Sequence, residues 1–152
     1  MHASTRPIQL APVRIPAVLE RQEIVTERGS NELLLSNRHR WGAPLGEMTR
    51  RTLTQDLLQR LQESEVVLPE QPAPPNTREI VVEILRLQSD AGGRVLLQGS
   101  WSLLPPGSDS PSLMRNFSLA EQASATSYAD QVQAMSRLLG RLADDIVSAL
   151  AQ

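Results

Sequence analysis

Two stretches, TREIVVEILRLQS at residues 77–89 and RVLLQGSWSLL at residues 94–104, carry the strongest pattern in the sequence. Both are rich in β-branched and large apolar residues, and in both the apolar residues alternate with polar ones, which is typical of strands. Between them lies Asp90-Ala91-Gly92-Gly93, whose glycines favour a turn. The sequence therefore predicts two neighbouring strands joined by this turn.

Alternation divides the side chains of each strand between two faces. In the first strand one face carries Ile80, Val82 and Ile84, and the other carries Glu79, Val81, Glu83, Leu85 and Leu87. In the second strand one face carries Val95, Leu97, Gly99, Trp101 and Leu103. A glycine between large side chains in a strand often marks a close approach to the backbone, so we expect Trp101 or a helix to approach the backbone at Gly99.

Working outward from this pair, the pattern predicts further strands and two helices. The strands are expected at Ile8–Ile15 (interrupted by Pro12), at Ile24–Thr26 and Glu32–Leu35 as a hairpin around Arg28-Gly29-Ser30-Asn31, at Glu65–Leu68, and at Leu113–Leu119 as the third strand of a meander. The helices, each with an apolar stripe, are expected at residues 44–62 and Tyr128–Ala149.

Strands mixed with two amphipathic helices indicate an α/β or α+β fold, in which a small mixed β-sheet carries the two helices packed on it. A length of 152 residues suits one domain, over residues 1–152, with residues 1–7 flexible. In the last helix, Asp144 and Asp145 are expected to pair with Arg141, three and four residues earlier.

Composition excludes several classes of protein. The sequence holds no cysteine, and all 15 of its basic residues are arginine, so thiolate metal sites, cysteine nucleophiles and Schiff-base lysines are excluded. The net charge of −2 and the four aromatic residues (Trp41, Trp101, Phe117 and Tyr128) argue against nucleic-acid binding. Apolar residues make up 40% of the chain, which argues against a disordered protein.

Catalytic motifs are also missing from the sequence. It contains no Gly-x-Ser-x-Gly, Gly-x-Gly-x-x-Gly, P-loop or His-Glu-x-x-His motif. Of the two histidines, His2 is near the start of the chain and His39 lies between two arginines, which disfavour its cationic form. We therefore expect no enzyme, no catalytic residues, no cofactor and no metal, although a small hydrolase using a serine and His39 stays as a remote alternative.

The segment Arg38-His39-Arg40-Trp41 has two interpretations. It is either an arginine and aromatic surface patch that binds a carboxylate or an anionic head group, or a core anchor, Trp41, beside two solvated arginines. We take Arg38, His39 and Arg40 as candidate partner-contact residues, together with Arg14 and Arg21.

Longer motifs give a more specific indication. The stretch Val13-Arg14-Ile15-Pro16-Ala17-Val18-Leu19-Glu20-Arg21-Gln22-Glu23-Ile24-Val25-Thr26 is followed by Asn31-Glu32-Leu33 and His39-Arg40-Trp41-Gly42-Ala43-Pro44-Leu45. With Gly99-Ser100-Trp101-Ser102-Leu103 and the Tyr128–Leu150 segment, it resembles the ABC-type transport auxiliary lipoprotein family, the PqiC-like proteins. The resemblance covers nearly the whole chain.

The resemblance implies a non-catalytic periplasmic lipoprotein of the Gram-negative outer membrane, with a small α/β domain. It further implies an auxiliary role in an MCE and ABC-type system for lipid transport or membrane integrity, through contact with an MCE-type (PqiB-like) protein. An alternative is a carrier domain that itself binds lipid. Whether the chain forms a homo-oligomer is left open.

Two features depart from the family pattern. The chain shows no signal peptide and no lipobox cysteine, and no aromatic "YxL" strand before Ile8. We expect a sequence shortened at its N terminus or a start site placed too far downstream, with the lipid anchor missing and the chain as given soluble.

Overall fold

The computed structural model describes residues 6–15, 23–28, 32–40, 45–89, 92–123 and 128–151. The strands are β1 (Ile8–Leu10), β2 (Glu23–Arg28), β3 (Glu32–Arg40), β4 (Val66–Val67), β5 (Arg78–Ser89), β6 (Arg94–Leu104) and β7 (Leu113–Gln122). The helices are α1 (Leu45–Arg60) and α2 (Tyr128–Leu150). Of residues 1–7, for which the sequence predicts flexibility, Arg6 and Pro7 are described, and their carbonyl groups accept hydrogen bonds from Arg78.

Five strands form a mixed sheet in the order β4-β1-β5-β6-β7. β1 is parallel to both β4 and β5, whereas β5, β6 and β7 form an antiparallel meander. The hairpin of β2 and β3 forms a separate two-stranded sheet, and β2 also contacts β5. A mixed sheet with two helices confirms the predicted architecture, and of the two predicted classes, α/β and α+β, it fits α+β.

The segment Ile8–Ile15 is predicted as one strand. Only its first three residues form a strand, but the rest of the segment still runs alongside β5. β1 ends at Leu10, before Pro12, which has no N–H to donate. Beyond the proline, Arg14 forms an isolated parallel bridge with Glu83. The Arg14 N–H donates to the Val82 carbonyl over 2.9 Å, and the Ile84 N–H donates to the Arg14 carbonyl over 2.8 Å.

The meander confirms the predicted pairing and corrects one predicted face. Ile80, Val82 and Ile84 are completely buried on the helix side of β5. The register then shifts between Ile84 and Arg86, so Leu85 has no cross-strand partner. Such a bulge reverses the alternation beyond it. Leu87 is therefore buried rather than sharing a face with Glu83 as predicted, whereas Leu85 is 54% exposed.

A close approach is present at Gly99, beside this bulge, but it is made by the β5 backbone and Phe117 rather than by Trp101 or a helix. Gly99 lies opposite Ile84 on β5 and Phe117 on β7. A Cβ atom at this position would collide with the Glu83 carbonyl oxygen and would lie 2.9 Å from Cζ of Phe117. The neighbouring backbone and the phenyl ring occupy the volume that a side chain would need.

The core lies between the meander and the two helices. The predicted apolar face of β6 is buried throughout. Leu53 and Leu57 of α1, and Leu138, Leu142 and Ile146 of α2, are at most 1% exposed, which confirms the predicted stripes. α2 lies against β6 and β7, and α1 contacts α2 and β4.

Candidate functional site

The arginine-rich segment predicted for partner contact lies at the end of β3. Arg38, His39 and Arg40 occupy its last three positions, and Arg40 stands opposite Glu23 in the register. The next pair is Val25 with Leu35, so residues 36–39 of β3 face the single residue Ile24. Bulges of this kind bend a strand and are frequent at sheet rims and beside functional sites. At a bulge the two-residue alternation of a strand does not assign its side chains to faces.

Arg14 lies along β5, to which the β2–β3 hairpin is also adjacent. Its side chain is exposed, and its backbone is held by the two hydrogen bonds to β5 described above. β2 also contacts β5, so Arg14 and the hairpin share one strand as a neighbour. Arg21 and Trp41, the remaining residues of the predicted patch, lie outside the described residues.

Two arginines of α2 hold a carboxylate at the end of β7. Oε1 of Glu121 accepts a hydrogen bond from Nε of Arg137 over 2.9 Å, and Oε2 accepts one from Nη1 of Arg141 over 3.1 Å. The bond from Arg137 is the largest cause that lowers the pKa of Glu121, and the bond from Arg141 acts in the same direction. Arg141 therefore binds β7, rather than Asp144 or Asp145 as the helical spacing predicts.

Asp144 instead forms a tertiary ion pair. Nε of Arg60, at the end of α1, donates to Oδ1 of Asp144 over 2.5 Å, and Nη1 of Arg60 donates to the Asp56 carbonyl over 2.8 Å. Burial raises the pKa of the Asp56 carboxyl, and the nearby Asp144 charge adds to this, although Arg60 opposes it. Both ion clusters join a helix to its neighbour, so we assign them to stability rather than to chemistry.

The cavities that open at the surface among the described residues include three of 180 to 300 Å³. One of about 300 Å³ lies at the start of α1, among Glu47, Arg51 and Glu70. A second of about 290 Å³ lies between β7 and α2, over Trp101 and Phe117. A third of about 180 Å³ lies beside β1 and the end of α2, and Arg6 and Arg78 line it.

Sequence reasoning missed the third cavity and the Glu121 cluster. The members of each come from parts of the chain that are distant in sequence, and no local spacing connects them. Arg6 and Arg78, for example, are 72 residues apart, and the guanidinium of Arg78 donates to the carbonyl of Arg6.

Neither a metal site nor a membrane-spanning helix is found in the described part of the chain. Within residues 6–15, 23–28, 32–40, 45–89, 92–123 and 128–151, no three His, Asp or Glu residues lie close enough to hold a metal ion. Over the same ranges, neither helix combines the length and the apolar character that a bilayer crossing requires.

Solved structures share this fold. An uncharacterised protein matches 96% of this chain and 92% of its own length, at 20% identity and a TM-score of 0.84. A protein of Xanthomonas campestris described by the family model DUF330 matches 93% of this chain and 81% of its own, at 16% identity and a TM-score of 0.76. At these identities the likeness concerns the fold.

Sequence comparison identifies the family. The chain matches no curated protein sequence. The family model for the ABC-type transport auxiliary lipoprotein component, however, matches residues 2–147, from before β1 almost to the end of α2. The resemblance seen in the sequence motifs is thereby confirmed, and the chain belongs to the ABC-type transport auxiliary lipoprotein family.

Proposed function

We propose that this protein is a non-catalytic component of an ABC-type transport system in the envelope of a Gram-negative bacterium, and that it acts by contact with an MCE-type (PqiB-like) protein. In this proposal the system moves lipids or maintains membrane integrity. The family is one of transport auxiliary lipoproteins and not a known enzyme family. We therefore propose no catalytic role for His39.

One observation carries the proposal: the family match extends over residues 2–147, almost the whole chain. An auxiliary component needs a surface for its partner rather than a site for a reaction. The ion clusters of the described residues join α1 to α2 through Arg60 and Asp144, and α2 to β7 through Arg137 and Glu121.

The contact surface that we propose is centred on the end of β3, with Arg14 and Arg21 as further members. The hairpin forms its own two-stranded sheet, separate from the five-stranded sheet, and β2 contacts β5. Arginine suits such a surface, because its planar guanidinium binds carboxylates in two-point contacts. Arg38 and Arg40 supply two of these groups within three residues.

Co-purification with a tagged MCE-type protein tests the surface. We expect the Arg38→Ala/Arg40→Ala variant to be recovered at least about tenfold less than the parent, because each lost charge-assisted contact weakens binding by about that factor. The matched control is Arg51→Ala/Arg86→Ala, which removes the same charge from exposed side chains elsewhere and should be recovered normally. Equal recovery of both variants and the parent would remove Arg38 and Arg40 from the interface.

We further propose a periplasmic location, with a lipid anchor in the outer membrane. The family's description as a lipoprotein component supports this location. Expression from the natural gene with its upstream DNA, followed by labelling with a radioactive fatty acid and membrane fractionation, tests it. Label recovered with the outer membrane supports the anchor, and an unlabelled protein contradicts it.

Transport of a whole lipid within the domain is the alternative, and no observation favours it. The layer between sheet and helices is filled by side chains with no exposure, such as Leu97, Leu138 and Ile146. The cavities named above are 180 to 300 Å³, at or below the smallest usual ligand sites of about 300 Å³. Native mass spectrometry of protein purified from membranes tests carriage directly, since a bound phospholipid would add its mass.

A further inference from the structure

We propose that the cavity between Arg6, Arg78 and the end of α2 is a binding site for an oxyanion that carries a short apolar chain, its head group being a phosphate or a carboxylate. The cavity has a volume of about 180 Å³. Two guanidinium groups and one carboxylate, that of Glu65, line it together with apolar side chains.

Arg78 is held in place but incompletely bonded. Its backbone N–H donates to the Pro7 carbonyl over 2.8 Å, and its Nη2 donates to the Arg6 carbonyl over 2.9 Å. Its Nε is buried and finds no hydrogen-bond partner among the described residues. A guanidinium has five N–H donors, and one left without an acceptor away from water is costly. Arg78 lines the cavity, so an incoming oxyanion would supply acceptors for the terminal N–H groups of this guanidinium that the Arg6 carbonyl does not take.

The charge around the cavity favours an anion. Arg6 and Arg78 contribute two positive charges, and Glu65 contributes one negative charge, so these three groups leave an excess of one positive charge. Glu65 is already an acceptor, because its Oε1 takes a hydrogen bond from the Gln62 N–H over 2.8 Å. Burial lowers the pKa of Arg78, the Arg6 charge lowers it further, and the Glu65 charge acts in the opposite direction. A bound anion would reduce the repulsion between the guanidinium groups of Arg6 and Arg78.

The rest of the lining is apolar and belongs to the edge of the core. Ile8 is 1% exposed, and Leu61, Val147 and Leu150 are partly buried hydrophobic residues packed against the core. A plain inorganic ion has no apolar part that could contact these side chains. A cavity of about 180 Å³ is small for a long acyl chain but suits a charged head and a few methylene groups.

Titration followed by ¹⁵N–¹H NMR tests the proposal, because the side-chain Nε–H of Arg78 gives a signal of its own. The probes are hexyl phosphate, hexanoate, inorganic phosphate and neutral hexanol. We expect hexyl phosphate or hexanoate to shift the Arg78 signal and to bind about tenfold more tightly than inorganic phosphate, since the chain buries methylene groups on Val147 and Leu150. The tighter of the two amphiphiles identifies the head group.

Three variants define the site. Arg78→Gln should weaken the binding of the amphiphile at least about tenfold, and Arg6→Gln, at an exposed residue, should weaken it while leaving the fold intact. Val147→Thr keeps the shape and should lower the preference for hexyl phosphate over inorganic phosphate. The control Arg86→Gln removes the same charge from the opposite face of the sheet and should bind as the parent does.

Several results would overturn the proposal. One is an Arg78 signal that no amphiphile moves. Another is equal affinity for hexyl phosphate and inorganic phosphate, which would indicate an adventitious ion only. A third is unchanged binding in Arg6→Gln when circular dichroism shows that this variant is folded. A shift caused equally by hexanol would contradict the role of the charge.

Discussion

Arg60 at the end of α1 and Asp144 in α2 form an ion pair in which Nε and Oδ1 are 2.5 Å apart, across 84 residues of sequence. The Arg60 side chain is 27% exposed and that of Asp144 is 65% exposed, so the pair lies at the rim of the helix–helix contact. Nη1 of Arg60 also reaches Oδ1 of Asp56, at 3.9 Å. One guanidinium therefore connects both helices at the place where they meet.

This pair should contribute more than an ordinary surface ion pair. In a double-mutant cycle with Arg60→Ala and Asp144→Ala, we expect a coupling free energy of about 1 kcal/mol, near the upper end for exposed pairs. The comparison pair, Arg51 and Glu47, is 66% and 56% exposed one turn apart on α1, and about 0.3 kcal/mol is expected there. Urea unfolding of the four variants of each cycle gives both values, and equal coupling in the two pairs would contradict the assignment.

Gly99 should tolerate no side chain, whereas a glycine in α2 should. Gly99→Ala forces a Cβ against the Glu83 carbonyl and Phe117, so we expect a loss of about 1–3 kcal/mol in the free energy of unfolding. Gly140→Ala meets only the flexible end of Arg60, at 3.4 Å, and should stabilise the protein by about 0.5–1 kcal/mol through helix propensity. Thermal unfolding of both variants measures the difference, and a Gly99→Ala protein as stable as the parent would refute the close contact.

The bulge in β5 predicts opposite results at two neighbouring leucines. Leu87 is 7% exposed, so Leu87→Ala should cost about 2–5 kcal/mol of unfolding free energy. Leu85 is 54% exposed, and Leu85→Ala should change the free energy of unfolding by no more than about 0.5 kcal/mol. Denaturant unfolding of the two variants decides the matter. Strict alternation along the strand would instead give Leu85 and Leu87 similar costs.

Glu121 should make the protein more sensitive to acid. Its folded-state pKa lies below the ordinary value of 4.5, because Arg137 and Arg141 donate to the ionised carboxylate. A carboxyl with a lowered pKa stabilises the folded state above its unfolded pKa, and this stability is lost as the pH falls through the folded pKa. Stability should therefore decrease below pH 4.5, and less steeply in Glu121→Gln.

The measurement is the urea midpoint as a function of pH for the parent and for Glu121→Gln. Asp109→Asn is a suitable control, because Asp109 is an exposed carboxylate in the loop between β6 and β7. It should leave the slope below pH 4.5 unchanged. Identical slopes in the parent and in Glu121→Gln would show that the two arginines do not stabilise this carboxylate.

The elements themselves could be predicted because their signals are local. β6 has the predicted bounds, Arg94–Leu104, and α2 differs from its prediction by one residue at the end. Alternation over eleven residues, or an apolar stripe along six turns of helix, leaves few other ways to bury the apolar side chains. The family could be inferred in the same way, since its motifs are short segments with local spacing.

What the sequence by itself determined is thus the set of strands and helices, a small mixed sheet with two helices of the α/β or α+β type, and the family, together with the exclusion of thiol and lysine chemistry that follows from composition. Only the tertiary structure decided the parallel placement of β1 between β4 and β5, the bulge that buries Leu87, and the partners of Asp144 and Glu121. The tertiary structure also brought Arg6 and Arg78 together at one cavity. The physical reason is one of range: periodicity reports how a segment divides between core and water, whereas a bulge, an ion pair or a cavity depends on which distant segment packs against it.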